Sequence, residues 1–492
     1  MYLSKTKYLD SLTKSLKRWC PTQIDDAHRN ELETQLSEFL EEQWPLHQKQ
    51  LETTLQFTLE DIHLVHELFP ECIFHNEDHQ PHKLCIYCPI VYHGLIIKTF
   101  ADTKIFDTIE CSPMVLHHSI FDTIPKRIKK RYAWGINIPG QLPYGYILPK
   151  SKKAFTSARP IIASRKSICC NLFRALALIL NQIMPIVYKF TFGNDKMLGI
   201  LEKLHKYLLA RRLDKVIALM QNADLKGFFT SVPHAKIITA VTHLIHQYHE
   251  TDPTKKHFQD ICFTVKQRFN SKARIIRGKS FTQTTKNRVL YLSDIPEITK
   301  MALRLSHFVC MDKIYQQSRG AIMGGHASPI LRAIAVAFDE YMWTKAYNIQ
   351  LHHSFLCIRY VDNRLTFMDS NLQTINSYNR FLDFLFYQYP VELEDCGNDI
   401  FLGYTIDMKQ LSMAYVIPEE SHAYRSIRSA GTTAKVLSGL TARLHLLYRG
   451  TFPSCNRLPL AKTLIQKYED RGFPKNILTS MLFKVTCKYP KH

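Results

Sequence analysis

Apolar residues follow two different spacings along this chain of 492 residues. A spacing of three or four positions predicts helices near the N-terminus and again further on, in the segments Glu31–Trp44, Leu51–Leu68, Asn171–Lys189, Lys196–Arg211, Ala235–Tyr248 and Asn371–Gln388. Short apolar runs bounded by turn residues predict strands in other places, at Tyr144–Pro149, Arg159–Ser164, Val216–Asp224, Phe355–Phe367 and Ile400–Ile417. The mixture predicts an α+β fold, and the length allows several domains.

The run Phe355–Phe367 reads FLCIRYVDNRLTF. Its two apolar halves predict two short strands joined by a two-residue turn that carries Asp362, in the run Tyr360-Val361-Asp362-Asn363. A turn of this kind holds the carboxylate of Asp362 at a strand tip, where its oxygens can point at a metal ion. Asp and Asn also favour turns for backbone reasons alone, so an ordinary hairpin is the alternative.

Two further stretches change this picture. Val216–Pro233 leads an apolar strand into Asp224, with Phe228 and Phe229 close behind. Gln317–Ala337 is a glycine-rich loop, closed by Ser328-Pro329, that runs into a strongly helical segment. This order of carboxylate strand, glycine loop and carboxylate turn is typical of the palm of a template-directed polymerase. Two aspartates on different strands can hold two Mg²⁺ ions that activate a 3′-hydroxyl and stabilise the leaving pyrophosphate.

The charge of the chain points to a polyanion. Lys and Arg number 64 against 43 acidic residues, a net charge of +21, which is typical of nucleic-acid-binding proteins. A basic ribosomal-type or membrane-surface protein is the alternative. The 13 cysteines show no disulfide framework, which predicts a reducing compartment. We find no signal peptide and no apolar run near the roughly 20 residues of a membrane span, and we therefore expect the nucleus or the cytoplasm.

A cluster of Cys and His residues lies between residues 71 and 93. The pairs Cys72-x-x-His75 and Cys85-x-x-Cys88 have the spacing of a tetrahedral Zn²⁺ site, although only nine residues separate them. This spacing predicts a structural zinc. His-rich loops beside buried cysteines also arise without a metal, and that alternative stays open.

Basic residues concentrate in three other places. The hairpin predicted around residues 144–164 carries Lys150, Lys152, Lys153 and Arg159, which could grip a triphosphate. The run Lys126–Arg131 precedes it and could contact phosphates. The stretch Lys266–Lys286 has few acids and suits a surface that faces nucleic acid.

These motifs together resemble those of a known family. YILPKSKK, ARPIIAS, NADLKGFFTSVP, QSRGAIMGGHASPIL, RYVDNRLTF, FLGYTID and RGFPKNIL are similar, in order, to motifs of reverse transcriptases. The resemblance is strongest to the reverse transcriptases of Penelope-like retroelements, which are related to telomerase. It covers Lys130–Lys488, and seven short motifs in the right order make a specific signal.

The resemblance implies a right-hand polymerase that adds dNTPs to a DNA primer on an RNA template. It implies a mainly helical N-terminal extension (1–135), fingers (136–215), a palm with a basic insertion around 250–310 (216–417) and a basic helical thumb (418–492). Asp224 and Asp362 would hold Mg²⁺ or Mn²⁺, with the backbone carbonyl of Leu225 as a third ligand. The remaining roles would be triphosphate binding by Lys150 and Arg159, and approach of the loop to template and nucleotide through Gly324, Gly325, Ser328 and Pro329.

Phe229 bears on the choice between DNA and RNA synthesis. It lies five residues after Asp224, where its ring would face the sugar of the incoming nucleotide. A bulky ring there excludes a 2′-hydroxyl, whereas an RNA polymerase needs a polar group that binds it. The alternative is that Phe228 and Phe229 are both core residues.

The chain departs from the family pattern at three points. Asn363 replaces the second aspartate of the catalytic box, and it can ligate a metal through its carbonyl but brings no charge. The stretch from Asp224 to Gly320 is long, which implies an insertion. We find no GIY-YIG-type endonuclease motif, so we expect a partner nuclease or chromosome ends to supply primers. Because of Asn363, a catalytically inactive scaffold that binds RNA is the first alternative function. An RNA-dependent RNA polymerase is the second.

Overall fold

The structure is a computed structural model. It describes residues 59–78, 80–138, 140–150, 154–188, 193, 197–214, 218–226, 230–251, 257–266, 276–278, 287–347, 355–369, 387, 391–397, 399–419, 424 and 433–489, with helical residues at 31, 34, 35 and 38. The chain forms two compact units. The smaller unit comprises Met1–Pro70, Val416–Tyr448 and Ser454–His492, and the larger unit comprises Glu71–Tyr415 and Arg449–Pro453.

The strands of the described residues all lie in the larger unit. They are β1 (Ile73–Glu77), β2 (Gln80–Tyr87), β3 (Phe106–Ile109), β4 (Tyr144–Pro149), β5 (Ala158–Ala163), β6 (Ala218–Lys226), β7 (Cys262–Lys266), β8 (Ile276–Gly278), β9 (Asn287–Tyr291), β10 (His307–Cys310), β11 (Lys313–Gln317), β12 (Phe355–Tyr360), β13 (Asn363–Asp369), β14 (Glu392–Asp395), β15 (Ile400–Phe401), β16 (Tyr404–Asp407) and β17 (Ser412–Tyr415).

The helices alternate with these strands and continue to the C-terminal end. They are α1 (Leu59–Leu68), α2 (Pro89–Phe100), α3 (Pro113–Thr123), α4 (Lys126–Arg131), α5 (Cys170–Val187), α6 (Met197–Asp214), α7 (His234–Glu250), α8 (Ile295–Arg304), α9 (Ser328–Tyr347), α10 (Thr433–Gly450), α11 (Arg457–Glu469) and α12 (Lys475–Thr486). The predicted α+β organisation is confirmed. The predicted helices in Glu31–Trp44 and Asn371–Gln388 lie mostly outside the described residues.

Two sheets organise the larger unit. The four-stranded sheet has the order β12-β13-β6-β14 and is antiparallel throughout. The five-stranded sheet has the order β3-β11-β10-β4-β5, with β10 and β4 parallel. The smaller sheets are β1-β2, β8-β7-β9 and β15-β16-β17. The predicted hairpin around residues 400–417 is confirmed, and its turn lies between β16 and β17.

The core of the larger unit forms around α5, α7, α8 and α9. On α5 the spacing of Leu172, Leu176, Ile179 and Ile183 puts these side chains on one face, and all four are buried. By length and composition alone α5 could cross a membrane, whereas we had predicted no apolar run of nearly that length. Its buried apolar face packs inside the core of the larger unit, as expected of a central core helix.

Residues 71–135, which we predicted to belong to an N-terminal extension, pack with the predicted fingers. Strand β3 belongs to the same sheet as β4 and β5. Tyr92 on α2 donates a hydrogen bond from its hydroxyl to the carbonyl of Ile147 on β4, at 3.1 Å. This part of the chain therefore shares a core with the hairpin that follows it.

The regular secondary structure described in the smaller unit is all helical. It contains α1, α11, α12 and nearly all of α10. Leu440, Leu444, Leu464 and Leu478 are fully buried in it. Between residues 433 and 489, the part of the tail with described helices, the chain thus has the helical character that the sequence predicted.

Candidate functional site

The two predicted metal-binding aspartates lie together at one end of the four-stranded sheet. Asp224 is near the end of β6, and Asp362 lies in the turn between β12 and β13. Tyr360 pairs with Asn363, so the predicted two-residue turn that carries Asp362 consists of Val361 and Asp362. The amide of Leu225 donates a hydrogen bond to the backbone carbonyl of Asp362 at 2.9 Å, which fixes the turn against β6.

The electrostatics of this pair favour a bound cation. Burial raises the pKa of Asp224, and the negative charge of Asp362 raises it further. Burial also lowers the pKa of Arg332 on α9 to about 9, and the nearby charge of Asp362 opposes that effect. The two carboxylates supply the hard oxygen ligands that Mg²⁺ and Mn²⁺ prefer, so these residues fit such an ion. Among the described residues, no group of three or more His, Cys, Asp or Glu side chains is placed to hold a metal.

Asn363 takes part in the same site. It lies directly opposite Asp224 on the neighbouring strand, and its Nδ2 donates to Oδ1 of Asp224 at 3.4 Å. On the other side of β6, Glu394 of β14 is also opposite Asp224 but is largely exposed. The site therefore has two close aspartates, with a neutral amide in the position of the second aspartate of the box.

The glycine loop packs against the edge of the five-stranded sheet. Ile162 donates its amide to the carbonyl of Met323 at 2.7 Å, and the Ser164 hydroxyl donates to the carbonyl of Gly324 at 2.9 Å. Gly324 has a φ of +112°, and a Cβ there would lie 2.3 Å from the carbonyl oxygen of Ile162. Only glycine fits this contact.

The residues after Gly324 close the loop and start the helix. A Cβ on Gly325 would lie 2.5 Å from Oγ of Ser328. Ser328 and Pro329 are the first residues of α9. The loop geometry thus explains all four predicted residues structurally, and their approach to template and nucleotide stays a prediction.

Of the residues predicted to bind a triphosphate, the structure describes Lys150 and Arg159. Lys150 follows β4, and its amide donates to the carbonyl of Ser157 at 3.0 Å. Arg159 on β5 forms an ion pair with Asp78 at 3.4 Å. Part of its charge is therefore matched within the protein, which the sequence did not predict. Lys152 and Lys153 lie outside the described residues, as do Phe228 and Phe229.

The predicted zinc ligands are not brought together. His75 pairs with Cys85 across β1 and β2, which puts these two on one face of the hairpin. Cys72 and Cys88 lie just beyond the pair Ile73 and Tyr87, in positions that alternate to the other face. The ring of His75 instead lies at a tilt beside those of Tyr92 and Tyr146, with centroid distances of 6.2 and 5.2 Å. The spacing resembled a zinc site because sequence spacing does not show strand alternation.

A buried ion pair next to the turn was not predicted. Arg359 on β12 and Glu340 on α9 are joined by two hydrogen bonds, of 2.5 Å from Nε and 3.2 Å from a terminal nitrogen. The Tyr387 hydroxyl donates to the same carboxylate at 3.0 Å. The signal for the ion pair was in the sequence, because Arg359 and Glu340 are each a charge inside an apolar run.

A second buried carboxylate organises the basic run Lys126–Arg131. Asp294 is fully buried and pairs with Arg127 at 2.8 Å and Arg131 at 2.9 Å. The Tyr132 hydroxyl also donates to it, at 2.6 Å. Two arginines of the run therefore stabilise the fold, which limits its predicted role in phosphate contact to the remaining lysines.

A cationic groove lies beside the glycine loop. It has a volume of about 490 Å³, and its lining includes Arg165, Lys166, Arg174 and the carboxamides of Asn137 and Asn171. None of the lining residues is acidic. Arg174 also contacts Nε2 of His326 in the glycine loop at 3.3 Å. Three cations with amide donors make a surface suited to phosphates.

The fold is similar to that of telomerase. The structure of telomerase from Candida albicans in complex with a TWJ fragment of telomeric RNA matches with a TM-score of 0.56 at 14% identity, over 94% of this chain and 71% of that one. The structure of apo telomerase from Candida Tropicalis matches with a TM-score of 0.51 at 11% identity, over 86% of this chain and 65% of that one. No protein-family model and no curated protein matches the chain.

These likenesses establish the fold. The chain has a telomerase-like right-hand polymerase fold, and the predicted fold class is confirmed. The four-stranded sheet with Asp224 and Asp362 is the part of this fold that carries the candidate site.

Proposed function

We propose that the chain is an RNA-directed DNA polymerase that extends a primer with dNTPs. The observation that carries the proposal is the placement of Asp224 and Asp362 side by side at one end of the four-stranded sheet. Burial and the nearby charge of Asp362 raise the pKa of Asp224, as expected of a group that serves a charged ligand rather than the fold.

In the proposed reaction the oxygen of a primer 3′-hydroxyl attacks the α-phosphorus of a dNTP. The new phosphodiester bond forms as the bond to pyrophosphate breaks, and the hydroxyl proton is released. Divalent ions held by Asp224 and Asp362 would stabilise the negative charge on the attacking and leaving oxygens. The protein's own contribution is to hold both carboxylates at fixed positions, through the backbone bond from Leu225 to Asp362.

Nucleic acid as the partner is supported by charge. The net charge of +21 and the cationic groove at Arg165, Lys166 and Arg174 favour a phosphate backbone. RNA as the template is favoured by the sequence motifs and by the likeness to a telomerase whose structure includes telomeric RNA. DNA as the product is favoured by the position of Phe229, five residues after Asp224.

Primer extension with the purified chain tests the proposal. Labelled DNA primers on RNA and DNA templates are supplied with dNTPs or NTPs, in Mg²⁺ or Mn²⁺. We expect extension on RNA with dNTPs, and a loss on the order of 10³-fold or more in Asp224→Ala and in Asp362→Ala. Both variants should stay folded and keep their RNA affinity. Extension by either variant at the wild-type rate would overturn the assignment of the site.

Asn363 favours one other function, an inactive scaffold that binds RNA. The amide of Asn363 bonds to Asp224, so one of the two aspartates is partly occupied within the protein. A scaffold of this kind would bind RNA tightly yet extend no primer with either metal. Preference for NTPs over dNTPs in the same assay would instead identify an RNA-dependent RNA polymerase.

A further inference from the structure

The ion pair between Arg359 and Glu340 is completely enclosed. Glu340 has no exposed side-chain surface, and Arg359 is 3% exposed. The backbone of Gly193 closes the space around the guanidinium, since a Cβ on Gly193 would lie 2.4 Å from one of its terminal nitrogens. The guanidinium is thus held in one position from two sides.

Arg359 also contacts the turn that carries Asp362. A terminal nitrogen of Arg359 donates to the carbonyl of Val361 at 2.9 Å. Val361 has a φ of +58°, a left-handed conformation that a β-branched residue adopts only when its surroundings impose it. The guanidinium therefore stabilises the strained residue immediately before Asp362.

Stability alone does not account for this pair. Buried ion pairs recover little more than the cost of removing both charges from water, and apolar replacements of similar volume are often as stable. Because Arg359 also binds the carbonyl of the strained Val361, the pair fixes the position of that residue.

We propose that Arg359 and Glu340 are positioning residues that set the place of Asp362 through the carbonyl of Val361. This proposal rests on the proposed polymerase function. Glu340 lies on α9, the helix that starts at the glycine loop, so the pair ties that helix to the catalytic turn. The hydrogen bond from the Leu225 amide to the Asp362 carbonyl then fixes the turn relative to β6.

The chain offers a matched control on the same helix. Asp339, the residue before Glu340, pairs with Lys236 of α7 at 2.5 Å, and their side chains are 4% and 12% exposed. This pair is also buried and also ties α9 to another element, but Lys236 is on α7 and not on the catalytic turn. Any difference between the effects of replacing the two pairs therefore measures the contact with the catalytic turn.

The experiment replaces each pair by apolar residues. The test variant is Glu340→Leu with Arg359→Met, and the control is Asp339→Leu with Lys236→Met. Each is compared with wild type in melting temperature, primer–template affinity, kcat and KM. Two further readouts do not need activity: Mn²⁺ affinity by electron paramagnetic resonance, and hydrogen exchange of the Leu225 amide.

We expect the test variant to stay folded and to bind primer–template as wild type does. Its kcat should fall about 100-fold, the usual effect of a displacement near 1 Å, while KM changes little. The Leu225 amide should exchange faster, and Mn²⁺ should bind more weakly. The control should match wild type in kcat, Mn²⁺ affinity and Leu225 exchange.

A test variant that keeps wild-type kcat, Leu225 exchange and Mn²⁺ affinity would overturn the proposal, as would a control variant with the same losses. If the test variant does not fold, Arg359→Lys decides the matter. Lysine keeps the charge but cannot bridge Glu340 and the Val361 carbonyl with a planar fork, so kcat should fall and Leu225 exchange should rise. If wild type itself extends no primer, the proposed function fails, whereas exchange and Mn²⁺ binding still test the positioning role.

Discussion

Asn363 and Asp224 face each other across neighbouring strands, and the amide nitrogen of Asn363 donates to Oδ1 of Asp224 at 3.4 Å. An aspartate at position 363 could not make this bond when ionised. The amide therefore offsets part of the cost of holding Asp224 beside Asp362 in the metal-free protein. The same bond occupies an oxygen that a metal ion would otherwise contact.

We predict that the wild type prefers Mn²⁺ and that Asn363→Asp partly restores activity in Mg²⁺. The site carries about one negative charge fewer than a two-aspartate box. Mg²⁺ depends on carboxylate charge and strict octahedral geometry, whereas Mn²⁺ binds mixed nitrogen and oxygen sites more tightly than Mg²⁺ in general. Nucleotide incorporation across a titration of both metals measures this. Strong Mg²⁺ activity in the wild type that the aspartate does not improve would contradict the argument from charge.

We predict that Asp224→Asn stabilises the metal-free protein at pH 7. Burial and Asp362 raise the pKa of Asp224 above its ordinary value of 3.8, so the folded state binds this proton more tightly than the unfolded state. Stability from such a group is fully present below the unfolded-state pKa and is lost as the pH rises through the folded-state pKa. The melting temperature of Asp224→Asn should therefore exceed that of wild type by an amount that grows from pH 3 to pH 7.

The control for this prediction is Glu394→Gln. Glu394 is 63% exposed, its contact with Lys226 at 3.9 Å is a surface one, and its charge is the weakest of the effects on Asp224, so its replacement should change the melting temperature much less than Asp224→Asn does. Mg²⁺ should raise the melting temperature of wild type more than that of Asp224→Asn. Equal stabilisation of both by Mg²⁺ would show that Asp224 does not bind the ion.

We predict that Phe229→Ala admits ribonucleotides. Removing the ring opens space for a 2′-hydroxyl but supplies no partner for it, so selectivity should fall by roughly 10- to 100-fold without inverting. The measurement is the ratio of kcat/KM for dNTP and NTP. The neighbouring variant Phe228→Ala is the control. An unchanged ratio in folded Phe229→Ala would reassign this residue to the core.

We predict that Arg165→Ala and Arg174→Ala each weaken binding of single-stranded RNA and reduce its salt dependence. Each lost phosphate contact should lower the slope of log K against log salt by about 0.7. Lys104→Ala removes an exposed cation that does not line the groove, and its slope should match wild type. Equal slopes in all three variants would show that the groove does not contact the nucleic acid backbone.

Local patterns predicted much of this site. The apolar runs on both sides of Val361-Asp362 encode the hairpin directly, and the run before Asp224 encodes β6. The glycine loop was also evident, because Gly324 and Gly325 precede a helical segment. In each case the residues that decide the geometry are neighbours in sequence.

Contacts between distant segments could not be predicted in the same way. The pairing of Arg159 with Asp78 depends on how the β1-β2 hairpin packs against β5, and nothing near either residue indicates it. The cysteine spacing predicted zinc because it ignores the alternation of side chains along β1 and β2. Arg359 and Glu340 were recognisable as charges within apolar runs, whereas their pairing depends on the fold.

The hydrogen bonds between β5 and the glycine loop have a mechanical consequence. Ile162 and Ser164 bind the loop at Met323 and Gly324, and the absence of a side chain at Gly324 lets the two backbones touch. The edge strand and the loop are thus joined backbone to backbone, so a displacement of the β4-β5 hairpin would also displace His326 and the start of α9.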